Sequence, residues 1–94
     1  MMLNTNLGRL VMTARISHDM ENNQKFSDEI NTFVKKFMQC DWGDICAEDK
    51  ALNDEAFKSG EDRIVASYES SKGNIFIITE WDRSCTTILY AEEY

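Results

Sequence analysis

Between Asp62 and Tyr94 three apolar runs follow one another with only short polar turns between them. The runs are Arg63 to Tyr68, Asn74 to Trp81 and Thr86 to Tyr90. Consecutive strands joined by loops this short must be antiparallel, so this third of the chain predicts a β-meander. Ser70-Ser71-Lys72-Gly73 reads as a hairpin turn with its glycine late in the loop, and Asp82-Arg83-Ser84 makes the second reversal. On the middle strand Ile75, Ile77 and Thr79 share one face, while Phe76, Ile78 and Glu80 share the other. Both faces are apolar up to Glu80, which makes this strand central. Helices cover one face; a partner or a second copy of the chain covers the rest.

The helices come from the middle of the chain. Phe26, Ile30, Phe33, Val34, Phe37 and Met38 recur at the spacing of one helical face. Asp28 and Glu29 near its start and Lys35 and Lys36 near its end suit the helix dipole, and Asn23 or Ser27 can cap it. Asp41-Trp42-Gly43-Asp44 is a turn in which Gly43 supplies backbone freedom and Asp44 accepts from the next helix's amides. That second helix runs from about Cys46 to Lys58, with Ala47, Ala51, Leu52, Ala56 and Phe57 inward. Glu48, Lys50, Asp54, Glu55 and Lys58 face water, and Gly60 ends it. Upstream the pattern is weaker. Residues 1–8 read as a loose start, Arg9 to Met12 pairs as an edge strand or packs as a loop, and Thr13 caps a short helix reaching Met20. The expected fold is α+β, with two main helices packed on a three-stranded antiparallel meander. Residues 1–94 form a single domain: a weakly ordered region at 1–22, helices at 23–59 and the meander at 62–94. Phe33, Phe37, Leu52, Ile75, Ile77 and Ile88 are the expected core.

Charge bounds the function. Seventeen acids against ten basic residues give a net charge of −7. Phosphate contacts need clustered Lys and Arg, so direct nucleic-acid binding is disfavoured, as is an anionic membrane surface. No apolar run approaches the roughly 20 residues of a membrane span, and the first residues lack the n- and h-regions of a secretory signal. The chain is expected in the cytoplasm, with Cys40, Cys46 and Cys85 reduced. Cys85 reads as a small core residue, and no C-x2-C pair marks a zinc site. An acidic surface keeps a small protein soluble, and it also suits competition for a partner's nucleic-acid-binding groove.

Little in the chain points to catalysis. His18 is the only histidine and reads as a solvated neighbour of Asp19; sequence neighbours cannot form a triad's relay, so Ser17-His18-Asp19 is not one. The glycine-rich phosphate motifs and H-E-x-x-H are absent, and Asp41, Asp44, Glu48 and Asp49 lack the spacing of a calcium loop. No catalytic residue, metal or cofactor is expected. The densest polar feature is the turn holding Glu80, Asp82, Arg83, Ser84, Thr86 and Thr87. Arg83 can pair there with Asp82, Glu80 or Asp49, in a structural cluster with Asp44 and Thr87. Trp81 and Asp82 are then the exposed part of a recognition knob. Glu48, Asp54 and Glu55 are the acids expected to meet Lys and Arg of a protein partner.

Trp42-Gly43-Asp44, Glu48-Asp49-Lys50, Asn53, Arg63-Ile64, Ser67-Tyr68, Ile77-Ile78-Thr79-Glu80, Asp82-Arg83-Ser84, Thr86-Thr87-Ile88-Leu89 and Glu92-Glu93-Tyr94 occur in that order. Over Asp41 to Tyr94 this resembles a family of small uncharacterised accessory proteins borne on plasmids, phages and integrative elements. The chain departs from that pattern at Cys40, where Gly is usual, at Trp81, where Ala is expected, and at Ala91, where Pro is usual. The family brings no established catalytic residues. The resemblance implies a non-enzymatic mobile-element protein, and gene context of that kind suggests an inhibitor of a host nucleic-acid-targeting defence complex, of the anti-CRISPR or anti-restriction type. Its partner is then a basic nucleic-acid-binding effector, and a homodimer is a further option. The alternative is a structural or regulatory accessory protein without anti-defence activity.

Overall fold

A computed structural model of the chain describes residues 7–94. The order of elements is β1 (Arg9–Met12), α1 (Ala14–Asn22), α2 (Gln24–Met38), α3 (Ala47–Ser59), β2 (Ile64–Ser70), β3 (Gly73–Thr79), β4 (Cys85–Tyr90) and a short 3-10 turn, Ala91–Glu93. The fold is α+β, as expected, but the sheet has four strands in the order β1-β4-β3-β2. The meander pairs antiparallel, with Ala66 opposite Ile77 and Ile77 opposite Ile88. Strand β1 joins β4 in parallel, Arg9 beside Cys85 and Met12 beside Ile88. The sheet is therefore mixed, and it carries three helices rather than two. Of the loose start expected at residues 1–8, residues 1–6 lie outside the described residues, while Arg9–Met12 and Ala14–Asn22 form β1 and α1. Thr13 does cap α1, its Oγ1 accepting from the Ile16 amide at 3.3 Å.

The core lies on the face of the sheet covered by α1 and α2. Ile64, Ala66, Tyr68, Ile75, Ile77, Ile88 and Tyr90 point there from three strands and are buried. Phe26, Ile30, Phe33 and Phe37 meet them from α2, one residue per turn or so. Phe33 stacks on Tyr68 with ring centroids 4.9 Å apart, and Phe26 on Tyr90 at 5.9 Å. Asn23 caps α2 through its Oδ1, which accepts from the Phe26 amide at 3.0 Å. Five of the six expected core residues are buried; Leu52 is not, being 67% exposed. Cys85 is only half-buried. The Thr79 and Thr86 hydroxyls sit 2.7 Å apart in this core, and Thr86 Oγ1 donates to the Leu7 carbonyl at 2.6 Å, which satisfies both buried groups.

At the end of α2 the backbone of Cys40 turns left-handed, with φ 63. That region favours glycine, so the side chain at 40 is carried at a conformational cost. The turn delivers Trp42 into the core, where it meets Phe37 edge-on at 5.2 Å. No helix among the described residues is long and apolar enough to cross a membrane.

Candidate functional site

The segment from Asp41 to Asp62 packs along β2, the strand at one edge of the sheet. An edge strand presents unpaired backbone groups, and natural proteins cover or blunt them. Here the cover is built from two pieces. The Ser67 amide donates to the Trp42 carbonyl at 3.1 Å, and the Asp44 amide donates to the Ser67 carbonyl at 2.7 Å. Between them Gly43 passes so close that a Cβ would lie 2.0 Å from the Ser67 oxygen, and its φ is 77. Only glycine fits. Two residues along the strand, Asn53 of α3 takes over. Its Nδ2 donates to the Val65 carbonyl at 2.9 Å, and its Oδ1 accepts from the Val65 amide at 3.3 Å. The side-chain amide thus imitates the next strand, which explains why Asn53 is buried to 6% exposure.

These bonds fix the rotation of α3. Its inner side is Asn53 and Ala56, with Phe57 half-buried. Ala47, Ala51 and Leu52, which the apolar pattern placed inward, are exposed. The Trp42 indole donates to Asp54 Oδ1 at 2.9 Å, so Asp54 helps to hold α3 to the loop before it. Asp44 does not cap α3: the position before the helix is Cys46, whose side chain makes no capping bond. Gly60 closes the far end in the left-handed region, as expected.

Arg83 secures that same end. Its guanidinium donates to the carbonyls of Ala56 at 2.7 Å, Asp62 at 2.6 Å and Glu80 at 3.1 Å. The last carbonyls of a helix lack partners within it, and a planar fork of donors satisfies several groups at once. This corrects the expected pairing of Arg83 with Asp82, Glu80 or Asp49 carboxylates: its partners are backbone oxygens. The structural cluster is accordingly not assembled. Asp44 sits on the loop covering β2, Asp49 in the first turn of α3, and Thr87 on β4 with Cys85 Sγ 3.8 Å away. Only Glu80 reaches Arg83, through its carbonyl. Asp82 accepts from the Ser84 amide at 3.0 Å, and hydrogen bonds from Ser84 hold its carboxyl below the usual range. Trp81 is 66% exposed on this turn.

The candidate partner-binding residues therefore fall into two groups. Glu48, Asp54 and Glu55 lie on α3, and Trp81 and Asp82 lie on a turn tied to the C-terminal end of α3 through Arg83. Residues 41–62 carry eight acids and two lysines, a net −6 within the chain's −7. Glu48, Asp49 and Glu55 are exposed and take part in no ion pair among the described residues, where Arg15 with Glu92 at 2.6 Å is the pair found. A shallow groove runs between α3 and the outer face of β2 and β3, bordered by Asp49, Leu52, Arg63, Val65 and Phe76.

A second polar cluster went unread in the sequence. Tyr90 donates to the Asp19 carboxylate, Arg15 lies 4.6 Å over the Tyr90 ring, and Thr13 Oγ1 donates to Glu93 at 3.0 Å. Burial and the Asp19 hydrogen bond raise the Tyr90 phenol above its ordinary value. The cluster fastens the 3-10 turn to α1. His18 is exposed, with Asn22 Nδ2 at 3.4 Å from its Nε2. Among the described residues no three His, Cys, Asp or Glu side chains converge as metal ligands would. The chain matches no protein-family model, no curated protein and no solved structure.

Proposed function

We propose that this chain is a non-enzymatic binding protein of a mobile genetic element, acting in the cytoplasm through the acidic surface of α3. Its partner in this reading is a basic nucleic-acid-binding effector of a defence system, of the anti-CRISPR or anti-restriction type. The supporting observation is the concentration of charge: a net −6 over residues 41–62, within which α3 itself carries four acids and two lysines, with Glu48, Asp49 and Glu55 exposed and outside its anchors. A groove that grips phosphates with Lys and Arg offers the same donors to carboxylates. Such pairs act mainly on the association rate, and salt screens them. The motif resemblance over Asp41 to Tyr94 supports the mobile-element origin. Exposed Trp81, beside the end of α3, supplies the aromatic area common at interface hot spots.

The test reverses charge without touching the anchors. Asp54 is left in place because it holds Trp42; Glu48, Asp49 and Glu55 are changed together to Lys. Restriction and RNA-guided nucleases from a host are assayed for target binding and cleavage with each protein present. The wild type should block one of them, less so at high salt, and the triple variant should not, at an unchanged melting temperature. A triple variant that inhibits as well as the wild type, or a wild type that leaves every effector active, would overturn the reading.

A further inference from the structure

The edge of the sheet opposite β2 is built differently. Arg9 and Thr13 donate their amides inward, to the carbonyls of Ser84, just before β4, and of Ile88 within it. By the alternation of a parallel ladder the amides and carbonyls of Leu10 and Met12 then point outward. Among the described residues nothing pairs with them. Of the devices that blunt an edge, β1 has its short length and Arg9, but among the described residues it has no proline, no bulge and no covering loop or side-chain amide. Apolar surface accompanies the open backbone. Leu10 is 54% exposed, Met12 39% and, across from them at the end of α2, Met38 47%. Between α2 and β1 lies a cleft of about 230 Å³ bordered by Leu7, Leu10, Val34, Phe37 and Met38. It falls below the ~300–1,000 Å³ of small-ligand pockets, so it suits an inserted side chain. The local charge is also inverted. Residues 7–12 and 31–39 hold Arg9, Lys35 and Lys36 and no acid.

We infer that the β1 edge receives an extended segment of a partner protein, an apolar strand bearing carboxylates, which extends the sheet. Main-chain bonds to Leu10 and Met12 supply affinity, and alternate side chains supply selectivity. Side chains on the α2 side of the added strand enter the cleft. Carboxylates meet Arg9 on the far face, or Lys35 on the outer side of α2. Charge decides against a second copy pairing through the same edge. A two-fold arrangement would bring Arg9 and Lys35 of one copy toward those of the other, and like charges placed together oppose association. This surface is separate from the acidic one on α3 and does not depend on that reading.

The experiment uses the full chain and three fluorescein-labelled octapeptides. One alternates isoleucine and glutamate, one alternates isoleucine and lysine, and one is the glutamate peptide N-methylated at alternate amides. Anisotropy measures binding, and amide exchange by NMR reports on Leu10 and Met12. The glutamate peptide should bind, slow the exchange of those two amides, and weaken at least about tenfold when Arg9 and Lys35 are both changed to Glu. The N-methylated peptide should fail. The inference is overturned if no glutamate peptide binds at millimolar concentration, or if the lysine or N-methylated peptide binds as well. It is equally overturned if Leu10 and Met12 are already protected in the free protein, whether by residues 1–6 or by a second copy seen in sedimentation.

Discussion

Helices α2 and α3 are of similar length and flank the same sheet, yet different forces hold them. Helix α2 buries Phe26, Ile30, Phe33 and Phe37 against three strands. Apolar area is its anchor, and no single hydrogen bond decides its place. Helix α3 buries only Asn53 and Ala56. Its anchors are directional: an amide on the β2 edge, an indole on Asp54 and a guanidinium on the Ala56 carbonyl of its last turn. A helix held by area must commit one whole face to the core. One held by a few hydrogen bonds keeps most of its circumference free, and here that circumference is acidic.

Substitutions at four positions test this contrast. Phe33→Ala should cost the most, about 3–5 kcal/mol in chemical denaturation, since a stacked aromatic leaves a cavity against Tyr68. A cost near zero would mean that α2 is not held by its apolar stripe. Next comes Arg83→Ala. Loss of charge-assisted bonds to three backbone carbonyls should cost about 2–3 kcal/mol, and Arg83→Lys should recover little, because an ammonium lacks the fork. Full recovery by Lys would show that charge, rather than geometry, fixes the end of α3.

Asn53→Ala should cost about 1–2 kcal/mol, because the Val65 amide and carbonyl are left without their partner. Amide exchange at Val65 should quicken with it, and an unchanged rate there would remove Asn53 as the edge cover. Leu52→Ala is expected to change stability by no more than about 0.5 kcal/mol, as a surface position does. A loss of several kcal/mol would return Leu52 to the core and turn α3 about its axis.

The same contrast explains what could be read from the chain. The α2 stripe was legible because apolar periodicity is a record of area burial, and the meander was legible because its turns are short. The inward side of α3 is legible only in part: Ala56 and Phe57 do face the core. Apolarity pointed to Ala47, Ala51 and Leu52, whereas the fold selected Asn53, whose partner is the backbone of β2. Backbone partners leave no mark in a side-chain pattern. Arg83 is hard to read for the same reason: nearby carboxylates suggest ion pairs, and the backbone carbonyls that bind it are carried by every residue. The acids of α3 were assigned to the surface correctly, but Asp54 has a tie to Trp42 that no spacing rule contains. Strand β1 reads as either strand or loop because four residues hold too short an alternation, and its parallel mate lies at the other end of the chain.

That pairing has a kinetic consequence. Arg9 and Cys85, neighbours in the sheet, are 76 positions apart. The α1–α2 pair and the β2–β3–β4 meander can each form from near neighbours in microseconds, whereas closing so long a loop is entropically costly and comes late. On a ribosome β1 must wait for β4 to emerge, with Leu10 and Met12 uncovered on both sides in the meantime. The last element to arrive is also among the first to leave. Fluctuations that release β1 need not unfold the helices or the meander, so the rim of the sheet should breathe while its centre stays closed.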